Sequence, residues 1–260
     1  MSEEKPSAFR LARRSLLVGG ALVAATTLID GERSGAHAGD IANGPCVVEL
    51  FTSQGCSSCP PADAYLGRLA KRPDIVALSF HVDYWDYIGW KDPFASRETT
   101  ERQRAYARVL KQRYVYTPEM VVDGIGDDSG KASAIDSLLK QAARRSPKRA
   151  TPDLSRDASG NLTVKLAAHR LEDESADVLL AVYDRKQSTK VTRGENGGNT
   201  LDNFNVVRHF ETIRRWDGSA ALWTVPLGQP QPGEGIAVLV QRPDQGPMIG
   251  ANKLEIAFSG

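Results

Sequence analysis

A change in hydrophobic periodicity near residue 147 constrains the fold more than any other feature of the chain. Before it, an apolar run beginning at Cys46 is followed by a helical stretch from Pro60, and this alternation recurs twice. After residue 150 the helical period disappears, and roughly seven runs of period two follow, separated by turns. The pattern predicts an α/β domain with parallel strand pairs over residues 45–147 and an all-β sandwich-like domain over 150–260.

The first 38 residues have the order of an export signal. Arg13-Arg14 precede a mainly apolar stretch, and Ala36-His37-Ala38 supplies the small-residue pattern of a cleavage site. Paired arginines before a mild apolar segment are typical of twin-arginine signals. The stretch is short for a membrane span, which needs about 20 apolar residues. We therefore expect a cleaved signal over 1–38, no stable membrane span afterwards and a periplasmic or secreted protein; an uncleaved anchor is the alternative.

The charge balance argues against a nucleic-acid partner. The chain carries 33 basic and 32 acidic residues, a formal net charge of +1. Proteins that bind nucleic acid through the phosphate backbone usually present a basic excess. The charge balance therefore gives no reason to expect nucleic acid as a partner.

The three cysteines fall into one isolated residue and one close pair. If Cys46 starts a strand that ends near Ser53, seven steps of about 3.3 Å place it roughly 23 Å from the far end. A disulfide needs α-carbons within about 7 Å. Cys46 is therefore expected to be free or to pair between chains, while Cys56 and Cys59 form the functional pair.

The C-x-x-C pair lies where a strand gives way to a helix. A helix N-terminus carries unpaired N–H groups and partial positive charge, which stabilise the reactive thiolate. We expect Cys56 to be the more exposed sulfur and the nucleophile, and Cys59 to resolve the mixed disulfide. A metal site and a purely structural disulfide remain the alternatives, although no second C-x-x-C or H-x-x-x-H supplies further metal ligands.

Thr117-Pro118 precedes the third short strand of the first region. Proline is the residue that tolerates a cis peptide bond, and such bonds are usually retained for a purpose. Placed opposite the cysteines, this dipeptide would expose the Thr117 backbone to an extended substrate segment. An ordinary trans proline at the start of a strand is the alternative.

Together these motifs resemble the thioredoxin fold. More closely, "VELFTSQGCSSCPPAD", "HVDYWDYIGWKDPFAS", "YTPEMVVDG" and "RGENGGNTL" resemble an exported bacterial family catalogued as domain of unknown function 1223. The resemblance implies a thioredoxin-like domain with a β-rich extension, and no settled reaction. Thioredoxin-like proteins often hold an acid beneath the cysteines, which makes Glu49 a candidate proton carrier for Cys59. An acid with a purely structural role is the alternative for Glu49.

The segment after the second β-rich run combines aromatic and acidic residues. Tyr84, Trp85 and Trp90 either line a substrate groove or form a hydrophobic plug under a loop. His81 is either a third metal ligand or a buried, hydrogen-bonded strand histidine. The polar loop 193–205 either folds over the cysteines or caps the sandwich.

The sequence thus favours an exported thiol–disulfide oxidoreductase. Its partners would be protein thiol or disulfide clients and a redox partner protein, and its redox centre the Cys56–Cys59 disulfide without a further cofactor. One alternative is a non-enzymatic Cu(I) carrier with Cys56, Cys59 and His81 as ligands. The other is a partner-binding module with vestigial cysteines.

Overall fold

The computed structural model describes residues 44–145, 149–229 and 231–255. The expected export signal lies outside these residues. Within them, no helix is long and apolar enough to cross a membrane.

The described chain begins with an alternation of strands and helices and continues with strands alone. The first part comprises β1 (Cys46–Thr52), α1 (Pro60–Leu69), β2 (Ile75–His81), α2 (Arg97–Val109), β3 (Glu119–Val122), β4 (Gly126–Asp128) and α3 (Ala132–Arg145). The second part comprises β5 (Asp153–Arg156), β6 (Asn161–Leu166), β7 (Ala176–Lys190), β8 (Thr200–Trp216), β9 (Ala221–Pro226), β10 (Glu234–Gln241) and β11 (Met248–Glu255).

Strands from both parts join one large sheet. Across the described ranges it has eight strands in the order β11-β10-β7-β8-β2-β1-β3-β4. β1 and β2 pair in parallel, and β8 lies parallel to β2 through Ser79 and Val206. The other neighbours, including β1 and β3, are antiparallel. The predicted fold class, a thioredoxin-like α/β domain followed by a separate β-sandwich, is therefore wrong.

The hydrophobic core shows why the two regions do not separate. Side chains of β1 and β2, such as Phe51 and Leu78, share one buried cluster with side chains of β7, β10 and β11, such as Tyr183 and Leu239. The long β7–β8 hairpin places β8 beside β2, so the second region extends the first sheet. Splitting the chain at residue 147 would expose this shared apolar surface to water.

A smaller sheet covers part of the large one. Among the described strands it contains three, in the order β5-β6-β9. Leu162 and Val164 of β6 pack with Val178 of β7, Val238 of β10 and Trp216 of β8. The three strands therefore form a second layer over the end of the large sheet and not a separate sandwich domain.

Helix α1 is held against the large sheet at close range. A β-carbon added to Gly67 would lie 2.6 Å from the Phe204 ring on β8. Since glycine is unfavourable inside a helix, this packing supplies its tertiary reason. The contact fixes the helix that begins directly after the cysteine pair.

Candidate functional site

The cysteine pair lies on the turn between β1 and α1. Cys59 is the N-cap of α1, and its carbonyl accepts hydrogen bonds from the N–H groups of Ala62 and Asp63 at 2.9 and 3.1 Å. Pro60 and Pro61 occupy the first two helical positions, where the backbone N–H has no helical partner to lose. The two prolines therefore fit the helix start without disturbing it.

Cys56 and Cys59 form a disulfide with their α-carbons 5.5 Å apart. The expected difference in exposure is absent: Cys56 is 1% exposed and Cys59 0%. Ser57 and Ser58 between them are exposed. Exposure therefore does not decide which sulfur attacks, and segments distant in sequence lie against the cysteine turn.

One of these neighbours is the loop between β7 and β8, residues 191–199, which we name the cover loop. Asn196 Nδ2 donates to the carbonyls of Gln54 and Cys56 at 2.9 and 3.0 Å. The Glu195 carboxylate accepts from the Ser57 N–H at 3.1 Å.

Of the two alternatives for the polar loop, the structure shows the one in which it folds over the cysteines. It is shorter than the expected 193–205, because β8 already begins at Thr200.

The aromatic segment forms a second side of the site. A β-carbon on Gly55 would lie 3.1 Å from Trp85 Cβ. The Trp85 indole donates to Thr117 Oγ1 at 2.7 Å, and Trp90 donates to Gln54 Oε1 at 3.2 Å. Tyr84, Trp85 and Trp90 are half-buried, so the segment both packs on the core and borders the cysteine turn.

The Thr117–Pro118 peptide bond is cis, as expected from the sequence. β3 runs antiparallel to β1 and pairs Glu119 with Phe51. Pro118 therefore comes at the end of β1 that leads to the cysteines. A role in docking a substrate stays a prediction.

A buried acid, Asp63, lies beneath the cysteine turn. It is one helical turn after Cys59, so the two side chains share a face of α1. Thr52 Oγ1 donates to Asp63 Oδ2 at 3.2 Å, while Oδ1 has no hydrogen-bond partner among the described residues. Burial raises the pKa of this carboxyl to about 6, against the lowering effect of His81 and of hydrogen bonds from Thr52 and Asn203. Asp63 is therefore able to exchange a proton near neutral pH.

His81 belongs to the same buried polar group. Its Nδ1 lies 2.7 Å from Asp92 Oδ2, an oxygen that also accepts from the Gln54 N–H at 2.8 Å. Burial raises the pKa of Asp92, but the His81 ring and these hydrogen bonds outweigh it, and the net pKa is lowered. The arrangement is that of the buried, hydrogen-bonded strand histidine. In the part of the chain that the structure describes, no cluster of three metal-ligating side chains is present.

Glu49 lies on the other face of β1. It shares that face with Val47 and Phe51, whereas Val48 and Leu50 pack in the cluster that contains α1. Arg102 Nε donates to Glu49 Oε1 at 2.8 Å, and the Tyr106 hydroxyl donates to Oε2. The structure therefore brings Glu49 together with α2 and not with α1.

Replacing Glu49 with glutamine is expected to destabilise the protein by about 3 kcal/mol, because it leaves the buried Arg102 guanidinium without its charged partner. Urea unfolding measures the loss. Glu101→Gln, which breaks an exposed ion pair with Arg104 on the same helix, should cost less than about 1 kcal/mol. An unchanged stability for Glu49→Gln together with slower thiol exchange would instead restore the proton-carrier role.

Cys46 is free, one of the two states expected from the distance argument, and it is buried. Arg149 Nη2 donates to its sulfur at 3.3 Å and also binds the Asp123 carboxylate. Burial and then the Asp123 charge raise the pKa of the Cys46 thiol to about 12. Cys46 is therefore held as an unreactive neutral thiol.

Three residues of the site were missed by sequence reasoning. Asp63 had a local signal, a carboxyl one turn from Cys59 on a helix that buries its neighbours. Glu195 and Asn196 lie in the polar loop for which a position over the cysteines was one of two expected alternatives, but no signal singled them out, because their contacts with the cysteine turn span about 140 positions of chain. A polar loop of glycines and asparagine does not disclose what it covers.

Comparison with known proteins places the chain among relatives without an assigned reaction. A family model described as "Protein of unknown function (DUF1223)" matches residues 47–241. No curated protein matches the chain.

Two solved structures were compared with the chain. A protein of Agrobacterium tumefaciens, solved by X-ray crystallography, is 32% identical, with a TM-score of 0.70; the match covers 82% of this chain and 94% of that one. An endonuclease/exonuclease/phosphatase of Beutenbergia cavernae is 12% identical, with a TM-score of 0.21, over 40% of this chain and 23% of that one. The second likeness carries no argument about fold or function.

Proposed function

The chain belongs to the DUF1223 family of proteins of unknown function, and from the chemistry of its site we propose that it is an exported thiol–disulfide oxidoreductase acting on protein clients. The observation that carries the proposal is the Cys56–Cys59 disulfide at the N-terminus of α1, with the buried acid Asp63 one turn below. The paired arginines and Ala-x-Ala pattern near the N-terminus support export to an oxidising compartment.

The proposed exchange transfers two electrons between the pair and a client. In the reduced protein, the Cys56 thiolate attacks one sulfur of a client disulfide; the client S–S bond breaks, and one client thiolate leaves. Cys59 then gives its proton to Asp63 and attacks Cys56 Sγ. This closes the Cys56–Cys59 bond and releases the second client thiolate. The reverse sequence oxidises a client dithiol.

Asp63 takes the proton-carrier role that the sequence had suggested for Glu49. Its unpartnered oxygen and its pKa of about 6 suit a group that accepts a proton at neutral pH and returns it. Glu49, in contrast, is occupied by Arg102 and Tyr106.

The docking part of the proposal rests on the edge formed by Thr117-Pro118 and the aromatic segment. An extended client strand would pair with the Thr117 backbone while Trp85 and Trp90 contact its side chains. A redox partner protein would use the same edge, because it must reach the same sulfur.

The function is tested by measuring thiol release from a disulfide-bonded protein after addition of the reduced full chain. The parent protein is expected to catalyse release, and Cys56→Ala to bring the rate to the uncatalysed level. Cys46→Ala is the matched control, because its thiol is buried and neutral, and it should keep the parent rate. No release by the parent, or equal loss in both variants, would refute the proposal.

Copper binding through Cys56, Cys59 and His81 stays a prediction, as does a role as a partner-binding module. No contact among the described residues favours either over exchange.

A further inference from the structure

The cover loop is hydrogen-bonded to the backbone of the cysteine turn. Asn196 bonds the carbonyls on either side of Gly55, and Glu195 bonds the N–H of Ser57. Asn196 is itself buried, whereas Glu195 is exposed. The loop thus closes on the turn through one buried amide and one surface carboxylate.

This closure hinders access to the disulfide. A β-carbon on Gly194 would lie 3.3 Å from Trp90 Cβ, so the loop also lies directly against the aromatic segment. Cys56 is 1% exposed although Ser57 and Ser58 beside it are exposed. Thiol exchange requires a sulfur to approach along the S–S bond. A protein client therefore reaches the buried Cys56 only after a neighbouring segment has moved, and the cover loop, which is hydrogen-bonded to this turn, is one such segment.

The backbone donors near Cys56 are few. Pro60 and Pro61 have no N–H, and the Cys59 N–H donates to the Cys56 carbonyl at 3.2 Å. The Ser57 N–H, one of the remaining donors, is occupied by Glu195. The Ser58 hydroxyl lies 3.4 Å from the Cys56 sulfur. The Glu195 carboxylate binds the N–H of the residue that follows Cys56, so a negative charge formed on Cys56 and the charge of Glu195 disfavour each other.

We propose that Glu195 is a positioning residue that holds the cover loop closed over the oxidised pair and releases it when reduction places a negative charge on Cys56. The inference rests on the proposed function. With the loop released, clients can reach the reduced pair. When the Cys56–Cys59 bond forms, the negative charge on Cys56 is lost, and the loop returns and displaces the reduced client. The loop thereby favours attack by the reduced form on protein disulfides over attack by client thiols on the oxidised form.

The triggering step balances with a small dithiol as reductant. Dithiothreitol gives two electrons and becomes a cyclic disulfide, and the Cys56–Cys59 bond breaks. Of its two protons, one goes to Cys59 and the other to solvent when Cys56 is left as a thiolate.

The test is hydrogen exchange of the cover-loop amides in the full chain, oxidised and then reduced with dithiothreitol, near pH 9, where an ordinary thiol is largely ionised. The Gly198 and Asn199 N–H groups bond within the loop. In the parent they should exchange about tenfold faster after reduction, since a charge-assisted hydrogen bond is lost. Equal exchange in the two states would overturn the proposal.

Two variants separate charge from structure. Glu195→Gln keeps an acceptor for Ser57 but not the charge, so its loop should stay protected after reduction. Asn196→Ala should open the loop in both states. A redox response in Glu195→Gln as large as in the parent would overturn the proposal.

Two controls match these changes. Asn199→Ala truncates an exposed amide in the same loop, and Glu174→Gln removes a charge beyond the other end of β7, roughly 45 Å away. Both should respond as the parent does; a lost response in either would contradict the assignment to Glu195. The readout needs no client, so absent client turnover with an intact loop response would refute the proposed function alone.

Discussion

Replacing Cys59 with serine is expected to abolish turnover and to leave client proteins covalently attached to Cys56. The first half of the exchange needs one sulfur and ends in a mixed disulfide; the second half needs the Cys59 thiolate to attack Cys56. Serine keeps the size of the side chain at the N-cap of α1 but is not a nucleophile for a disulfide. The mixed disulfide should therefore persist until an external thiol resolves it.

Non-reducing electrophoresis and mass spectrometry of the adduct measure this outcome. Cys56→Ser is the matched control and should trap nothing, whereas Cys46→Ala should behave as the parent. Because both sulfurs are equally buried, the experiment also decides their order. Adducts on Cys59 in the Cys56→Ser variant would reverse the two roles, and the absence of adducts from both variants would contradict thiol exchange.

Asp63→Asn is expected to slow resolution by about a hundredfold at neutral pH, the lower range of what a positioned proton acceptor contributes. The rate to measure is closure of the Cys56–Cys59 bond from a preformed mixed disulfide of Cys56 with glutathione. In the parent this rate should fall as the pH drops through about 6, where Asp63 takes up a proton. The variant should lack that step. An unchanged rate in the variant would remove Asp63 from the reaction.

The same substitution is expected to stabilise the protein above pH 6. The pKa of Asp63 is raised from 3.8 when unfolded to about 6 when folded. Its contribution to stability is thus fully present below pH 4 and lost as the pH rises through 6. A shift of this size corresponds to about 3 kcal/mol, which asparagine would recover as an upper limit.

Urea unfolding at pH 4 and at pH 8 measures this linkage. The parent should lose stability between the two values relative to Asp63→Asn. Asp136→Asn, which removes an exposed carboxyl on α3, should follow the parent. A variant that is slower in exchange yet more stable at pH 8 would show that the acid is kept at the expense of stability. A variant that is less stable at pH 8 would contradict the assigned cause of the pKa shift.

The local features of the site were predictable because they depend on short stretches of chain. The strand before Cys56 and the helix after Cys59 each follow from a few neighbouring residues, whereas the cis bond before Pro118 is one of two isomers that the sequence allowed. The separation of Cys46 from the pair followed from strand length alone. The β-rich character after residue 150 was also correct, since period two is a local signal.

The fold class was wrong because strand pairing is not local. Alternation predicts strands over residues 176–184 and 205–216, but it does not say which strand lies next to β2. The contact of Ser79 with Val206 joins positions 127 apart in sequence. A hydrophobic strand in a sheet or in a sandwich buries the same side chains and gives the same pattern.

The identity of the acid beside the cysteines likewise depends on tertiary packing and not on the local sequence alone. Glu49 and Asp63 are both carboxyls on buried elements, and the alternation of β1 does not tell which face α1 will cover. By itself, the sequence indicated a cysteine pair at a strand–helix junction, an isolated Cys46 and a proline able to take a cis bond, because strand length, helix ends and local periodicity are properties of short stretches of chain. Only the tertiary structure decided that Asp63 lies under the pair, that Glu49 binds Arg102 and that the cover loop closes over Cys56. These outcomes depend on which segments pack on each face of β1 and α1, and that packing joins parts of the chain that are far apart in sequence.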